Sequence, residues 1–271
     1  MMVRGSAALV CSLFIFLVAV ILRRGMPHLS FALITSEESI LQGTAGIFPC
    51  ILNTLFVIVL TLSIALPLGI GTAVYLTEYA HSRILIRLIE FAADTLSAIP
   101  SIIYALAGVI IFCTKLGLKK TLLAGSLTLA VMVLPTVIRT TQESLKTVPQ
   151  SYREGALGLG AGKWRMIATV VLPSALAGIL TGCILSIGRV IGESAVLLYT
   201  AGLSMSLQDL SPGNLSKASG ATLSAALYLY AKERSDMDTA FAIAVLLLFL
   251  IAMIQLAADL VNRGSNKKGS P

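Results

Sequence analysis

The amino-acid sequence predicts an all-α, polytopic membrane protein built as one bundle of about six transmembrane helices. Of its 271 residues, 56% are hydrophobic and only 12% are charged, whereas soluble globular domains carry about 25% charged residues. Several apolar runs reach about 20 residues, the length that a helix needs to cross the hydrocarbon core of a bilayer. Such a bundle uses the whole length, so we expect a single transmembrane domain over residues 1–271 and no separate soluble domain.

The predicted spans follow the apolar runs of the chain. They cover residues 7–22, 51–75, 88–112, 122–138, 174–200 and 239–260. The first run could be a cleaved signal peptide, but its apolar length and weak cleavage pattern favour a retained first span. Pro67, Pro100 and Pro135 interrupt three of the runs, which membrane helices tolerate because neighbouring helices satisfy the backbone groups that proline frees. Loops are predicted over 25–49 and 201–238, and a short polar tail over 261–271.

Charge and reactive side chains exclude several kinds of function. The net charge of +7 indicates topology and lipid contact, and the scattered basic residues, without interleaved aromatic residues, exclude nucleic-acid binding. The four cysteines stand apart in apolar surroundings, which is typical of small buried hydrophobic residues. His28 and His81 lie too far apart to indicate a metal site. We therefore expect no catalytic residue, no metal and no enzymatic activity in this chain.

Basic residues also orient the chain. Lys and Arg are enriched on the cytoplasmic side of membrane proteins, and a cluster of them lies at the fourth loop, comprising Arg139, Lys146, Arg153, Lys163 and Arg165. The excess over the whole chain is small, so the orientation depends mainly on this cluster. We expect the cluster and both termini in the cytoplasm.

The polar stretch over residues 149–173 is strongly patterned. Pro149 and the capping-box spacing of Ser151 and Glu154 predict a short helix. Gly158 and Gly160 would end it, because glycine accepts the left-handed conformation at a helix C-terminus. A second short helix is predicted over residues 163–170. Two such helices parallel to the membrane would form a knob that fits a groove in a partner protein.

The GLGAGK sequence inside this stretch is not a nucleotide-binding loop. The Walker pattern requires glycine where Leu157 stands, and serine or threonine where Trp164 stands. The dinucleotide-binding pattern requires a third glycine where Lys163 stands. We therefore expect no nucleotide to bind this chain.

The same stretch resembles the EAA loop of bacterial ABC-importer permeases, which reads Glu-Ala-Ala, three residues, Gly, nine residues, Ile-x-Leu-Pro. The matching residues here are Glu154, Gly155, Ala156, Gly160, Val170, Leu172 and Pro173, with all spacings kept and only Gly155 and Val170 differing in type. The resemblance implies a type I ABC-importer permease fold. It also implies that residues 141–173 form a cytoplasmic coupling loop, seated in a cleft of the ATPase subunit.

Arg189 and Glu193 are the candidate substrate-pathway residues. Four residues apart on a continuous helix, they would share one face about a turn from each other. They lie deep in an apolar run, where ionisable groups usually face a bundle interior or a water-filled path. Two interpretations stay open: a self-neutralising pair that locks helix packing, and an anion site or gate. The guanidinium fork suits phosphate oxygens, and Glu193 would accept a proton from hydrogen-phosphate or hold the arginine when no anion is present.

Residues 189–198, Arg-Val-Ile-Gly-Glu-Ser-Ala-Val-Leu-Leu, resemble the signature Arg-Ala-x-Gly-Glu-Thr-Ala-Pro-Leu-Leu of phosphate-importer permeases. The proline of that signature is absent here, which leaves the helix bend after the site undecided. Residues 67–80 and 99–104 match the family as well, and the likeness covers about 45–260. It is closer to the PstA-type subunit than to the PstC-type subunit. The resemblance implies that Arg189 and Glu193 are needed for phosphate movement.

The resemblance implies that the chain is a channel-forming subunit of an ATP-driven phosphate importer in the bacterial plasma (inner) membrane. The implied partners are a second permease subunit (PstC-type), two copies of an ATP-binding subunit (PstB-type), an extracytoplasmic phosphate-binding protein and the lipid bilayer. ATP and Mg would be bound by the ATP-binding subunits, with no cofactor in this chain. A permease for sulfate, molybdate or another oxyanion stays open, and so does a secondary transporter or a membrane scaffold without transport. Secondary transporters would show inverted repeats, and none is evident.

Other charged residues have simpler interpretations. Arg87, Glu90 and Asp94 lie at helical spacing and predict an ion-paired face at the membrane interface. Lys115, Lys119 and Lys120 predict a solvated loop. Four acidic residues could contact a binding protein: Asp209, Glu233, Asp236 and Asp238.

Overall fold

The computed structural model describes residues 2–38, 46–211, 214 and 216–268. Within these ranges the chain is helical and contains no strand. The helices are α1 (Met2–Gly25), α2 (Phe31–Thr35), α3 (Phe48–Val74), α4 (Arg83–Ala98), α5 (Ser101–Gly108), α6 (Leu122–Thr147), α7 (Gln150–Gly158), α8 (Lys163–Met166), α9 (Leu172–Gly192), α10 (Ala195–Thr200), α11 (Leu223–Tyr228) and α12 (Met237–Lys268). Among the described residues, five helices are long and apolar enough to cross a membrane, or six if one bent pair counts as a span.

Several helices end in, or are joined by, π-helical turns. These turns are Tyr75–Tyr79 after α3, Val109–Lys115 after α5, Ile167–Val171 between α8 and α9, and Leu229–Glu233 after α11. A π-helical turn inserts an extra residue into the hydrogen-bond ladder and is frequent at functional sites. The turn between α8 and α9 makes residues 163–192 one continuous helix of 30 residues.

Helix α6 lies at the centre of the bundle. Its side chains Leu129, Met132 and Val133 are fully buried, and they pack in one core with Ala65 of α3 and Ile191 of α9. Small residues bring the neighbouring helices close to α6. The backbone of Gly69 in α3 lies against Val137, and Gly178 and Gly182 of α9 lie against Ser144 and Thr140.

The predicted third span over residues 88–112 is not one straight helix. Helices α4 and α5 meet at an angle of 101°, because Pro100 disfavours helical geometry at Ile99, whose φ and ψ are −70° and 129°. Pro67 and Pro135, in contrast, lie inside the continuous helices α3 and α6. The expected tolerance of proline within a span therefore holds for Pro67 and Pro135, whereas Pro100 divides the predicted third span into two helices.

The first and last spans pack against each other at one end. The guanidinium of Arg24 lies 5.3 Å from the ring centroid of Phe241, and His28 Nε2 lies 3.6 Å from a carboxylate oxygen of Asp238. Gly25 is in close contact with the Phe241 backbone. These contacts pack the end of α1 against the start of α12.

Several predicted loops contain helix. Helix α2 and a 3-10 turn lie within the loop predicted over residues 25–49, of which 39–45 lie outside the described residues. The loop predicted over 201–238 contains α11, and the tail predicted over 261–271 continues α12 as far as Lys268. All four cysteines are free, and Cys11 on α1 is exposed rather than buried.

Candidate functional site

Residues 148–171 connect α6 to α9, and we call them the connecting segment. Its first helix, α7, ends in a Schellman motif, in which Gly160 N–H donates to Leu157 O at 2.9 Å and Ala161 N–H donates to Ala156 O at 3.1 Å. Gly160 has a φ of 82°, the left-handed conformation predicted for it. The turn after α7 is therefore set by local sequence.

Two predictions for the connecting segment are wrong. Pro149, not Ser151, occupies the N-cap position of α7, and no side chain caps this helix, so the capping box does not form. The second helix does not stop at residue 170. Residues 163–192 run as one helix through the π-helical turn that precedes Pro173, where the proline removes a regular helical hydrogen bond.

Three of the predicted coupling residues in the connecting segment are exposed, namely Glu154, Gly155 and Gly160. Leu159 beside them is 92% exposed and Trp164 is 66% exposed. A Cβ atom at Gly155 would meet nothing within 4 Å, so the alanine of the EAA pattern would fit there.

The remaining predicted coupling residues are placed differently. Ala156 is half-buried and packs, together with Leu172, on a cluster formed by Leu145, Met166 and Ile167, among others. Pro173 is exposed at the start of α9. The predicted coupling residues thus form two groups. One group is exposed, namely Glu154, Gly155, Gly160 and Pro173, and the other, Ala156 and Leu172, packs the segment against the bundle.

A buried ion pair that sequence reasoning missed fixes α7 to the bundle. Arg153 donates to Glu78 Oε1 from Nη2 at 2.9 Å and from Nε at 3.1 Å. Its Nη1 also donates to Val148 O at 2.7 Å, and its Nη2 to Leu145 O at 2.8 Å. The two side chains are only 12% and 7% exposed. Their separation of 75 residues along the chain left no sequence signal for the pair.

A second contact links α8, which follows α7 in the connecting segment, to the π-helical turn that contains Glu78. The ammonium of Lys163 lies 4.8 Å from the ring centroid of Tyr79, and such cation–π contacts are favourable. Tyr79 and Glu78 both belong to the π-helical turn after α3. This turn is thus contacted from α7 and from α8.

The charged residues predicted at the start of the third span pair with α6. Asp94 pairs with Arg139, and a carboxylate oxygen of Glu90 lies 3.7 Å from Nζ of Lys146. The ion-paired face is confirmed for Asp94 and Glu90. Arg87 has no hydrogen-bond or ion-pair partner among the residues that the structure describes.

Arg189 and Glu193 do not share a helix face. Helix α9 ends at Gly192, and Glu193 has extended geometry with φ −81° and ψ 112°, so the prediction of one continuous fifth span over 174–200 is wrong. Glu193 Oε1 accepts a hydrogen bond from Val196 N–H at 3.2 Å, and the Glu193 carbonyl accepts one from Ser224 Oγ at 2.9 Å. The carboxylate therefore satisfies a free N–H group at the start of α10.

Arg189 lies in the last turn of α9 and is half-buried. It makes no ion pair or hydrogen bond with any residue in the described ranges, Glu193 included. Its neighbours Ile187 and Val190 pack in the same core as Tyr104, whose hydroxyl donates to Leu96 O at 2.7 Å across the bend between α4 and α5. The negative end of the α9 dipole favours a cation here.

Comparison with known proteins identifies the family. Residues 65–267 match the family described as "Binding-protein-dependent transport system inner membrane component". The chain belongs to this family. Its members are transport permeases rather than enzymes, and membership implies partners such as an ATPase and a binding protein.

Two relatives resemble this permease over most of its length. It is 35% identical over 223 residues to the phosphate transport system permease protein PstA 1 of Mycobacterium tuberculosis (strain CDC 1551 / Oshkosh), covering 81% of this chain and 71% of that protein. It is 36% identical over 197 residues to the probable ABC transporter permease protein YqgI of Bacillus subtilis, covering 73% and 67%. The predicted resemblance to importer permeases of the PstA type is confirmed.

Solved importer structures share the fold of the permease. One chain of a bacterial alginate ABC transporter superposes with a TM-score of 0.67 at 17% identity, covering 96% of the permease and 95% of that chain. A chain of an inward-facing MetNI methionine ABC transporter superposes with a TM-score of 0.61 at 22% identity, covering 81% and 94%. The predicted all-α ABC-importer permease fold is confirmed, and the chain is a multi-pass membrane protein.

The acidic residues beyond α10 serve local structure in the permease. Asp236 accepts from Thr239 N–H at 3.1 Å at the start of α12, and Asp209 accepts from Asn214 Nδ2 at 2.6 Å. Their contact with a binding protein stays a prediction. Among the described residues, no group of three or more His, Cys, Asp or Glu side chains is arranged to hold a metal ion.

Proposed function

We propose that this permease is a channel-forming subunit of an ATP-driven importer of inorganic phosphate. The observation that carries the proposal is the half-buried residue Arg189 in the last turn of α9, whose guanidinium has no carboxylate or carbonyl partner in the described part of the chain. A guanidinium is permanently charged, and its planar fork matches the oxygens of phosphate. The name of the M. tuberculosis relative, a phosphate transport system permease, supports the same substrate.

The position of Arg189 suits a residue on a translocation path. It stands in the last turn of α9, and its neighbours Ile187 and Val190 share a core with Ile99 and Tyr104 at the bend between α4 and α5. Irregular backbone at membrane depth is tolerated where it is buried in protein or lines a water-filled cavity. Phosphate would pass Arg189, and Glu193 would hold the break open by capping α10.

The connecting segment is the part that couples transport to ATP. Its exposed Glu154, Gly155 and Leu159 form a surface with apolar and acidic parts that seats in a cleft of an ATP-binding subunit. ATP and Mg would bind in that subunit and not in this chain. The complete importer would contain a PstC-type permease, two PstB-type ATP-binding subunits and an extracytoplasmic phosphate-binding protein.

The proposed location is the bacterial inner membrane, with the connecting segment and both termini in the cytoplasm. Among the described residues, counting the bent pair α4 and α5 as one span gives six candidate crossings. An even number of crossings places both termini on the same side, which agrees with this orientation.

The test is uptake of labelled phosphate by membranes that contain the complete complex. We expect Arg189→Gln to lower uptake at least about tenfold, because charge-assisted hydrogen bonds to the anion are lost, while the ATP-binding subunits still copurify. The matched control is Lys232→Gln at an exposed position, which should leave uptake unchanged. Unchanged uptake in Arg189→Gln would rule out the anion site.

Labelled sulfate and molybdate, in the same membranes, address the alternative substrates. We expect neither to be taken up at a rate near that of phosphate. Preferential uptake of either anion would show that this anion, and not phosphate, is the substrate. ATP-independent uptake would favour the secondary transporter, an alternative for which the described residues offer no supporting observation.

A further inference from the structure

Arg153 joins three elements of the permease in one buried site. It lies in α7, its ion-pair partner Glu78 lies in the π-helical turn after α3, and the carbonyls of Leu145 and Val148 lie at the end of α6. Both side chains are nearly enclosed, at 12% and 7% exposure. We call these two side chains and two carbonyls the Arg153 latch.

The chemistry of the latch makes it stiff. The guanidinium donates hydrogen bonds from Nε, Nη1 and Nη2, which lie in one fixed plane. A lysine ammonium cannot reproduce this geometry. The last carbonyls of a helix carry partial negative charge and favour a cation. Separating a buried ion pair leaves an uncompensated charge, which is strongly unfavourable. Helix α7 therefore moves together with the ends of α3 and α6.

The backbone that connects α7 to α9 is more flexible than the Arg153 latch. It contains Gly158, Gly160 and Gly162, and a Cβ atom at any of them would meet nothing within 4 Å. Glycine adopts many backbone conformations. A displacement of α7 is absorbed along the backbone of this glycine-rich turn, so the remaining link from α7 to the helix over residues 163–192 is the apolar packing of Ala156 on Met166 and Ile167.

From this contrast we propose that the Arg153 latch is the rigid link that transmits movement of α7 to α3 and α6. Arg153 and Glu78 are then positioning residues for coupling, not contacts with phosphate. This inference rests on the proposed function, in that α7 must dock on an ATP-binding subunit. It adds the route by which movement of the docked α7 is transmitted to the membrane-spanning helices. That route is the side chain of Arg153 rather than the backbone that leads into α9.

The test compares the number of phosphate molecules imported per ATP hydrolysed in the complete complex. Arg153→Lys and Glu78→Gln should retain copurification of the ATP-binding subunits and ATP hydrolysis. The import ratio should fall about tenfold, within the usual range of coupling between sites. The matched control is Lys146→Gln, which removes the exposed 3.7 Å contact with Glu90 at the same end of the bundle and should keep the wild-type ratio.

The remaining outcomes are decisive. An unchanged ratio in both assembled variants overturns the latch while phosphate uptake by the wild type upholds the proposed function. Loss of the ATP-binding subunits in both variants also overturns it, because the pair would then serve assembly alone. If the wild type imports no phosphate, the proposed function fails, and the latch is measured by stimulation of ATP hydrolysis by the binding protein. Glu78→Gln should abolish that stimulation, and full stimulation would contradict the latch.

Discussion

The Glu193 carboxylate accepts the Val196 N–H at 3.2 Å and makes no ion pair with Arg189. This hydrogen bond assigns the two charged residues of the fifth span to different tasks. Glu193 stabilises the break between α9 and α10, and Arg189 keeps its donors free. The self-neutralising pair, one of the two interpretations that the sequence left open, does not form because the helix ends one residue before Glu193.

The first prediction separates the charge of Glu193 from its hydrogen bond. We expect Glu193→Gln to keep most phosphate uptake, since an amide oxygen can still accept from Val196 N–H. Glu193→Ala should destabilise the break by about 1–3 kcal/mol, because a buried N–H loses its partner, and uptake should fall with it. Uptake and thermal unfolding of the purified complex measure both variants. Equal loss in the two variants would show that the charge itself is required.

The second prediction concerns two glycines of the connecting segment with similar open surroundings. Gly160→Ala should destabilise the turn after α7 by about 1 kcal/mol, because φ is 82° there and alanine resists the left-handed conformation. Gly155→Ala should stabilise α7 by about 0.5–1 kcal/mol, since alanine is the better helix former. Copurification of the ATP-binding subunits should weaken for Gly160→Ala and hold for Gly155→Ala. The opposite order would contradict the Schellman turn as the determinant of docking.

The third prediction concerns the bend at Pro100. We expect Pro100→Ala to let α4 and α5 straighten, which would break the 2.7 Å hydrogen bond from Tyr104 to Leu96 O and disturb the core that Tyr104 shares with Val190 of α9. Phosphate uptake should fall several-fold. Pro67→Ala is the matched control, because Pro67 lies inside a continuous helix. A similar loss in both variants would mean that the effect is not specific to the bend.

The fourth prediction concerns pH and the start of α12. Burial raises the pKa of the Asp236 carboxyl, but hydrogen bonds from Thr239 outweigh it, so the pKa lies below its usual value. Asp236 therefore contributes stability above its unfolded pKa of about 3.9, and this contribution is lost as pH falls through the lower folded pKa. Asp236→Asn keeps an acceptor without the titration. Thermal unfolding of wild type and variant should differ less at about pH 3 than at pH 7, and a constant difference would contradict the assignment.

Local features of the site were predictable because neighbouring residues decide them. Gly160 adopts its left-handed conformation at the end of α7, as glycine in that position predicts. Glu154 and Gly155 are exposed, as a docking surface requires. The predicted capping box was wrong because Pro149 takes the N-cap position itself, and proline with its fixed φ can begin a helix without a side-chain cap.

Non-local features were not predictable from one sequence. Pro67, Pro100 and Pro135 are the same residue type in similar apolar runs, yet only Pro100 separates two helices. Whether a proline breaks a helix depends on the neighbours that satisfy the freed backbone groups. The pairing of Arg153 with Glu78, 75 residues away, depends on how α3 and α7 pack.

The sequence by itself determined that the chain crosses a membrane as a helical bundle, because the free energy of apolar side chains in lipid depends on composition and length alone. It also determined the connecting segment and the cation at residue 189, through spacing and charge. Tertiary structure decided that Glu193 caps α10 instead of neutralising Arg189, and that Arg153 is locked to Glu78. Hydrogen bonds act only at contact distance. The packing of α3 against α7 brings Glu78 to Arg153, and the Ser224 hydroxyl from α11 binds the Glu193 carbonyl at the break after α9.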